Sequence, residues 1–195
     1  MSGPGGLLRE GGIVARAIGA DTLTPVAAAL RLRDRLAFIL ESVEGGARYG
    51  RYSHVGVRGR MLTIDGDTAI LRDHEYRELD RFTEHDPLEA LRRILPAPTG
   101  SDRFPFPLSS GVGYLAYEAA ARWERLPVPD ADPVGLPLAC FHVPDVVIVF
   151  DHLAQTATLG TRDDAGAEAR LAEVADRLAR PVADEAPADL GRPGD

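Results

Sequence analysis

Two pairs of short apolar segments, each pair joined by a turn sequence, constrain the fold more than any other feature of the chain. Residues 61–64 and 68–72 flank Asp65-Gly66, a dipeptide that favours a two-residue β-hairpin turn. Residues 146–150 and 156–161 flank a second polar connection in the same way. Strands joined by such short connections pair antiparallel. The sequence therefore predicts an antiparallel β-sheet.

Four helices are expected around this sheet, the shortest of them over residues 117–124. Thr24-Pro25 combines a hydroxyl N-cap with proline at the first helical position, and Asp86-Pro87 opens a second helix in a similar way. Residues 165–178 have the clearest helical periodicity in the chain. On the first helix we expect Val26 and Leu30 to face the sheet. Hairpins with flanking helices predict an α+β fold.

One domain is expected to account for most of the chain. The 195 residues are enough for a single domain, and 45% of them are hydrophobic, as in ordinary globular proteins. The glycine-rich, weakly patterned residues 1–20 predict a loose leader, followed by the domain at residues 21–180. Residues 181–195 are rich in Pro, Ala, Asp and Gly and predict a disordered tail.

Charge and cysteine content argue against several classes of function. The net charge of −8 disfavours nucleic-acid binding, although all 22 basic residues are arginine. The single cysteine, Cys140, rules out an internal disulfide, which fits the cytoplasm. No signal-peptide pattern is present, and the longest apolar run, residues 146–150, is far shorter than the roughly 20 residues of a membrane span. The sequence therefore predicts a cytoplasmic protein without nucleic-acid or membrane partners.

Two motifs that suggest cofactors have simpler interpretations. Residues 111–116 fit the G-x-G-x-x-A dinucleotide fingerprint, but Phe-Pro-Phe-Pro at residues 104–107 is incompatible with the central parallel strand that the motif requires. We interpret these glycines as allowing close backbone approach. The five histidines are scattered and Cys140 stands alone, so no metal site is predicted. No catalytic residues are predicted either.

The segment from residue 36 to residue 59 carries the most suggestive polar residues. A strand over residues 36–42 ends in Glu41-Ser42, and a glycine-containing acidic loop leads to a second strand that begins near Arg51-Tyr52. A carboxylate and a hydroxyl at a strand end can hold the ammonium group of a small molecule. The alternative interpretation, which the chemistry alone favours, is a hairpin with a polar tip.

Four motifs, in matching order, resemble the N-terminal domain of anthranilate synthase component I. The most specific of them is Leu40-Glu41-Ser42, followed after the loop by Arg51-Tyr52-Ser53, which resembles the family's LLES and RYS sequences. The other three occupy residues 21–26, 111–118 and 144–152, and resemble the family's LTPV helix start, its GxxGYLxYD segment and its PDxVxVFDH strand. The similarity extends from about Leu23 to Thr161.

The resemblance implies the family's fold, an antiparallel β-sheet with flanking helices, and a place in tryptophan biosynthesis. The family makes anthranilate from chorismate, a lyase reaction that uses magnesium and is inhibited by tryptophan. The resemblance also implies that L-tryptophan binds as an allosteric effector, with Glu41 facing its ammonium group and Ser42 orienting it. The implied tryptophan-binding residues are Leu40, Glu41, Ser42, Arg51 and Tyr52.

The family's chorismate-binding catalytic domain has no counterpart in these residues. We therefore expect a regulatory fragment that is inactive alone, holds no cofactor itself, and has as partners a catalytic domain and a glutamine amidotransferase subunit. Two alternatives stay open: the N-terminal part of aminodeoxychorismate synthase component I, from the folate pathway, and a non-enzymatic amino-acid-binding or subunit-contact module. A decayed fragment without a role is a third. Also open are whether a catalytic domain is encoded separately and whether the pocket forms without it.

Overall fold

The computed structural model describes residues 6–42, 50–95, 111–126 and 134–181. The helices are α1 (Pro25–Arg31), α2 (Pro87–Ile94) and α3 (Ala167–Leu178), with 3₁₀ turns at Arg33–Arg35 and Tyr117–Arg122. The strands are β1 (Leu7–Glu10), β2 (Ile13–Gly19), β3 (Leu36–Leu40), β4 (Tyr52–Val57), β5 (Arg60–Asp65), β6 (Thr68–Arg72), β7 (Glu78–Thr83), β8 (Val112–Leu115), β9 (Ala139–Val143), β10 (Val146–Asp151) and β11 (Thr156–Arg162).

These strands form two antiparallel sheets. The six-stranded sheet has the order β1-β2-β11-β10-β4-β3, and the five-stranded sheet has the order β7-β6-β5-β9-β8. Both predicted hairpins are present, as the pairs β5–β6 and β10–β11. The α+β fold with antiparallel strands is therefore confirmed. The strands are divided between two sheets, where the sequence analysis expected one.

A two-stranded antiparallel ribbon runs from one sheet into the other. Residues 58–59 alone separate β4 from β5, and residues 144–145 alone separate β9 from β10. In the six-stranded sheet β4 pairs with β10, and in the five-stranded sheet β5 pairs with β9. The turn needs glycine at position 59, because φ there is +112° and a Cβ would lie 2.1 Å from the Val143 carbonyl oxygen. We call this connection the bent ribbon.

Helix α3 covers one face of the six-stranded sheet, as its periodicity predicted. Leu171, Val174 and Leu178 are buried there. They pack in one cluster with residues such as Ile148 and Leu159 from the central strands β10 and β11. This is the larger of the two main cores. The smaller lies between α2 and the five-stranded sheet, and includes Leu62, Ile64, Ala90, Ile94 and Phe141.

Helix α1 lies on the same face as α3, but its orientation corrects the prediction. Its N-cap is as expected, since the Thr24 hydroxyl oxygen accepts a hydrogen bond of 3.0 Å from the Ala27 amide. However, Val26 and Leu30 are 47% and 51% exposed, whereas Ala28 is buried with its small neighbours Pro25 and Ala29. The helix therefore packs through its small residues and leaves its larger ones in solvent.

The N-terminal strands correct the prediction of a loose leader over residues 1–20. β2 lies inside the six-stranded sheet between β1 and β11, and Ile13 and Val14 are fully buried. The local pattern is weak because these residues are buried in clusters whose other members lie mostly in distant parts of the chain. The acidic loop at residues 43–49 and the predicted tail beyond residue 181 lie outside the described residues. No helix in the described parts of the chain is long and apolar enough to cross a membrane.

Candidate functional site

Within the described parts of the chain, the end of β3 lies at an open edge of the six-stranded sheet. β3 is the last strand in the sheet order, and Leu40 stands opposite His54 of β4. Leu40 is 48% exposed, Glu41 is exposed and Ser42 is half-buried. An apolar side chain next to a carboxylate at a strand end can contact both the apolar and the cationic part of a small molecule.

A buried hydroxyl holds the point where the chain leaves β3. The Ser42 amide donates a hydrogen bond of 3.1 Å to Ser53 Oγ, and this oxygen lies 2.8 Å from His152 Nε2. Ser53 is 0% exposed. The tautomer of His152 decides which of the two groups donates to the other. We call the contact series from Ser42 through Ser53 to His152 the Ser53 bridge.

Arg51 makes a two-pronged ion pair with Asp151 beside this bridge. Its Nε lies 3.0 Å from Oδ1, and its Nη2 lies 2.6 Å from Oδ2. The hydrogen bond from Arg51 is the main cause that lowers the pKa of Asp151, and it likewise raises the pKa of Arg51. Asp151 Oδ1 also accepts hydrogen bonds of 3.0 Å from the backbone amides of Leu153 and Ala154. Arg51 therefore ties β4 to the turn between β10 and β11.

The Tyr52 side chain lies on the face of the six-stranded sheet opposite to the one that α3 covers. It packs against a small cluster of buried apolar residues that includes Ile13 and Val149, and the Arg51 guanidinium carbon lies 4.8 Å from the centre of its ring. The structure thus brings the five residues implied by the resemblance to one end of β3 and β4, but in two groups. Leu40, Glu41 and Ser42 form the open edge, whereas Arg51 and Tyr52 make contacts within the protein.

Three residues of this region, Ser53, Asp151 and His152, were not predicted from the sequence as part of the site. All three lie inside motifs that carried the resemblance, yet nothing in the motifs shows that they touch. Their contacts depend on the pairing of β4 with β10, in which Tyr52 stands opposite Asp151. The signal that could have found them is this long-range pairing.

A separate cavity of about 200 Å³ lies at the other end of β3. Two of its basic residues make ion pairs within the protein: Arg35 and Arg58 both contact Glu173 of α3, the latter at 3.5 Å. Burial lowers the pKa of His142, which favours a neutral imidazole in the wall. The charged and imidazole residues in its lining are Arg33, Asp34, Arg35, Arg58, Arg60, Asp73, His74 and His142. Because Glu173 partly neutralises the arginines of this cavity, we do not assign an anion site to it.

The remaining sequence motifs fit structural roles. A Cβ on Gly113 would lie 2.0 Å from the Cys140 carbonyl oxygen, which agrees with the interpretation that this glycine allows close approach of two backbones. Burial raises the pKa of the Cys140 thiol, so the unreactive thiol form is favoured. Within the described residues, no three His, Cys, Asp or Glu side chains are grouped so that they could hold a metal ion.

Comparison with known proteins identifies relatives over most of the chain. No family model matches it. It is 41% identical over 170 residues to anthranilate synthase component 1 of Thermus thermophilus, a match that covers 84% of this chain and 35% of that protein. It is 34% identical over 193 residues to the Streptomyces coelicolor protein of the same name, covering 89% of this chain and 34% of the relative. The chain is homologous to anthranilate synthase component 1. It spans about a third of the length of these relatives.

A solved structure supports the same relationship at the level of fold. The crystal structure of anthranilate synthase component I from Streptococcus pneumoniae matches with a TM-score of 0.53, over 84% of this chain and 37% of that one. The sequence identity is 23%, so this likeness concerns the fold alone. The resemblance to anthranilate synthase component I and the expected α+β fold are both confirmed.

Proposed function

We propose that this chain is the tryptophan-sensing portion of an anthranilate synthase component 1. Homology over 84% of the chain supports the family. The observation that carries the sensing role is the open end of β3, where exposed Leu40 and Glu41 stand beside Ser42. On this proposal the chain serves regulation, and the conversion of chorismate takes place on a catalytic domain outside these residues. No magnesium ligand is assigned to the chain.

The chemistry of an α-amino acid fits this strand end. The Glu41 carboxylate accepts charge-assisted hydrogen bonds from the ammonium group, Ser42 orients it, and Leu40 contacts the indole ring. Because Glu41 is exposed, its ion pair contributes about 1 kcal/mol or less. Most of the affinity must therefore come from burial of the indole, at roughly 25 cal/mol per Å². A surface open on one side buries little of it, so we propose that the catalytic domain completes the pocket.

A tryptophan titration followed by the amide signals of Glu41 and Ser42 tests the proposal. We expect saturable shifts at these two amides, with low affinity for the chain alone because the missing wall leaves ordering costs uncompensated. Affinity should rise when the remaining two-thirds of the Thermus thermophilus relative is supplied in trans. Phenylalanine serves as the matched ligand, since it shares the α-amino acid group but buries a smaller ring.

Ser42→Phe provides the matching variant, because a bulky ring beside Glu41 blocks the strand end. Thr68→Phe is its control, since Thr68 is an exposed position in the five-stranded sheet. Tryptophan binding should be lost in the first variant and kept in the second. The proposal is wrong if tryptophan moves neither amide with or without the added domain, or if Ser42→Phe binds tryptophan as well as the parent chain. The same titration separates the anthranilate branch from a module that binds amino acids without preference for tryptophan.

A further inference from the structure

We infer that Ser53 and His152 are positioning residues for the effector site, acting through the Ser53 bridge to set where Glu41 and Ser42 leave the sheet. The ligand named here rests on the proposed function, whereas the geometry does not. Neither residue belongs to the set that the resemblance implied.

A side chain holds the chain at the point where β3 ends. Its last recorded backbone pairing with β4 is Leu40 opposite His54. Two residues later the Ser42 amide bonds to a side chain, Ser53 Oγ, at 3.1 Å. The position of this amide therefore depends on the rotamer of one serine. Because a hydroxyl oxygen has one hydrogen and two acceptor sites, Ser53 can accept from Ser42 and still bond to His152.

The two side chains of the Ser53 bridge differ in burial. Ser53 is 0% exposed, whereas His152 is an exposed residue. An exposed imidazole adds little to the core, so its contact with a buried hydroxyl is better explained by orientation of that hydroxyl than by packing. The His152 backbone is itself held, because its amide donates to the Arg51 carbonyl at 2.9 Å. The neighbouring ion pair between Arg51 and Asp151 restrains the same turn.

Amide hydrogen exchange at Ser42 measures the positioning without any ligand. A hydrogen bond of this kind contributes about 1 kcal/mol net, so Ser53→Ala should speed exchange of the Ser42 amide about fivefold. Ser53→Thr keeps the hydroxyl and should restore the protection. Thr161→Val is the matched control: Thr161 is 1% exposed, and its hydroxyl donates at 2.7 Å to the Asp145 carbonyl at the opposite end of the same sheet. It should leave exchange at Ser42 unchanged.

A second pair of variants at His152 keeps the test independent of the buried position. His152→Ala removes the nitrogen that contacts Ser53 Oγ, and should also speed exchange at Ser42. His152→Gln carries an amide nitrogen of similar reach and should restore protection. Because His152 is exposed, these variants should fold even if Ser53→Ala does not.

Tryptophan affinity supplies the functional arm of the same experiment. Ser53→Ala and His152→Ala should each weaken tryptophan binding, by up to about fivefold if the lost hydrogen bond is fully transmitted, while Thr161→Val should not. The inference is overturned if exchange at Ser42 is unchanged in His152→Ala, or if Thr161→Val speeds it equally. If the parent chain binds no tryptophan under any condition, the proposed function fails, and the exchange data still decide the positioning role.

Discussion

Replacement of Gly56 by alanine should destabilise the protein through one identifiable clash. Gly56 of β4 stands directly opposite Phe38 of β3. A Cβ at Gly56 would lie 2.3 Å from Cε1 of the Phe38 ring and 2.6 Å from Cζ. Carbon atoms in contact sit about 3.5–4.0 Å apart, so the ring must move by more than about 1 Å. The Phe38 ring therefore packs directly against the backbone of Gly56, in the space that a side chain would occupy.

The size of the effect follows from the burial of the ring. Overpacking a core costs about 1–3 kcal/mol, and the half-buried Phe38 on an edge strand has some freedom to move, so we expect about 1–2 kcal/mol for Gly56→Ala. For a chain of this size that lowers the midpoint of thermal unfolding by roughly 2–8 °C. Gly19→Ala is the control, because the nearest atom to its added Cβ is Asp21 Oδ2 at 3.7 Å, an ordinary contact.

A double-mutant cycle with Phe38→Ala identifies the cause. Removal of the ring should itself destabilise the protein, but it also removes the clash, so the double variant should lose less free energy of unfolding than the two single variants together. The difference should exceed about 0.5 kcal/mol, as for residues in direct contact. Urea unfolding of the four proteins measures it. Additive losses, or a Gly56→Ala variant as stable as the parent, would refute the reasoning.

Two further changes test the ion pair beside the site and the main core. Arg51 lowers the pKa of Asp151 in the folded protein below the pKa near 4 that an aspartate has in an unfolded chain. The Asp151 carboxylate therefore stabilises the fold fully at pH values above about 4, and its contribution is lost as the pH falls through the folded-state pKa. Asp151→Asn should therefore cost about 1 kcal/mol at neutral pH, allowing for the partial exposure of Arg51, and less in acid; an equal loss at pH 7 and about pH 3 in urea unfolding would contradict this. Leu171 is 1% exposed, so Leu171→Ala should lower the free energy of unfolding by about 2–5 kcal/mol. Leu153 is 67% exposed, so Leu153→Ala should change it by less than about 0.5 kcal/mol. Similar losses for the two variants in calorimetry would count against the assigned core.

The parts of the fold that could be predicted are those with local signals. Both hairpins carry their turn residues between two apolar segments, and α3 carries its own periodicity. β2 has no such signal, because Ile13 and Val14 are buried in two different clusters, with residues such as Val149 and Leu159 that lie far along the chain. β7 was missed for another reason: it is an edge strand whose residues are mostly exposed, and its two apolar residues, Leu79 and Phe82, do not alternate with the polar ones. Local sequence patterns do not show which distant strands pair or which strand lies at the edge of a sheet.

The candidate site divides along the same line. Leu40, Glu41 and Ser42 could be found because they form a contiguous motif at a strand end. The partners that hold them could not, because Ser53 and His152 meet only through the alignment of β4 with β10. Arg51 illustrates the limit of residue-by-residue inference: its sequence position suggested a ligand contact, and the structure shows its guanidinium bound to Asp151. Whether it also contacts a ligand stays a prediction.

The bent ribbon has a consequence for how the protein folds and comes apart. The five-stranded sheet is built from the consecutive strands β5 to β9, whereas the six-stranded sheet takes β1 to β4 from before them and β10 and β11 from after them. The first four strands must therefore meet β10 and β11 across the whole sequence of the other sheet before the six-stranded sheet is complete, and such non-local closure is slow. Severing the chain between β5 and β9 would leave no half able to complete a sheet by itself. The two sheets are therefore expected to melt together, as one cooperative unit.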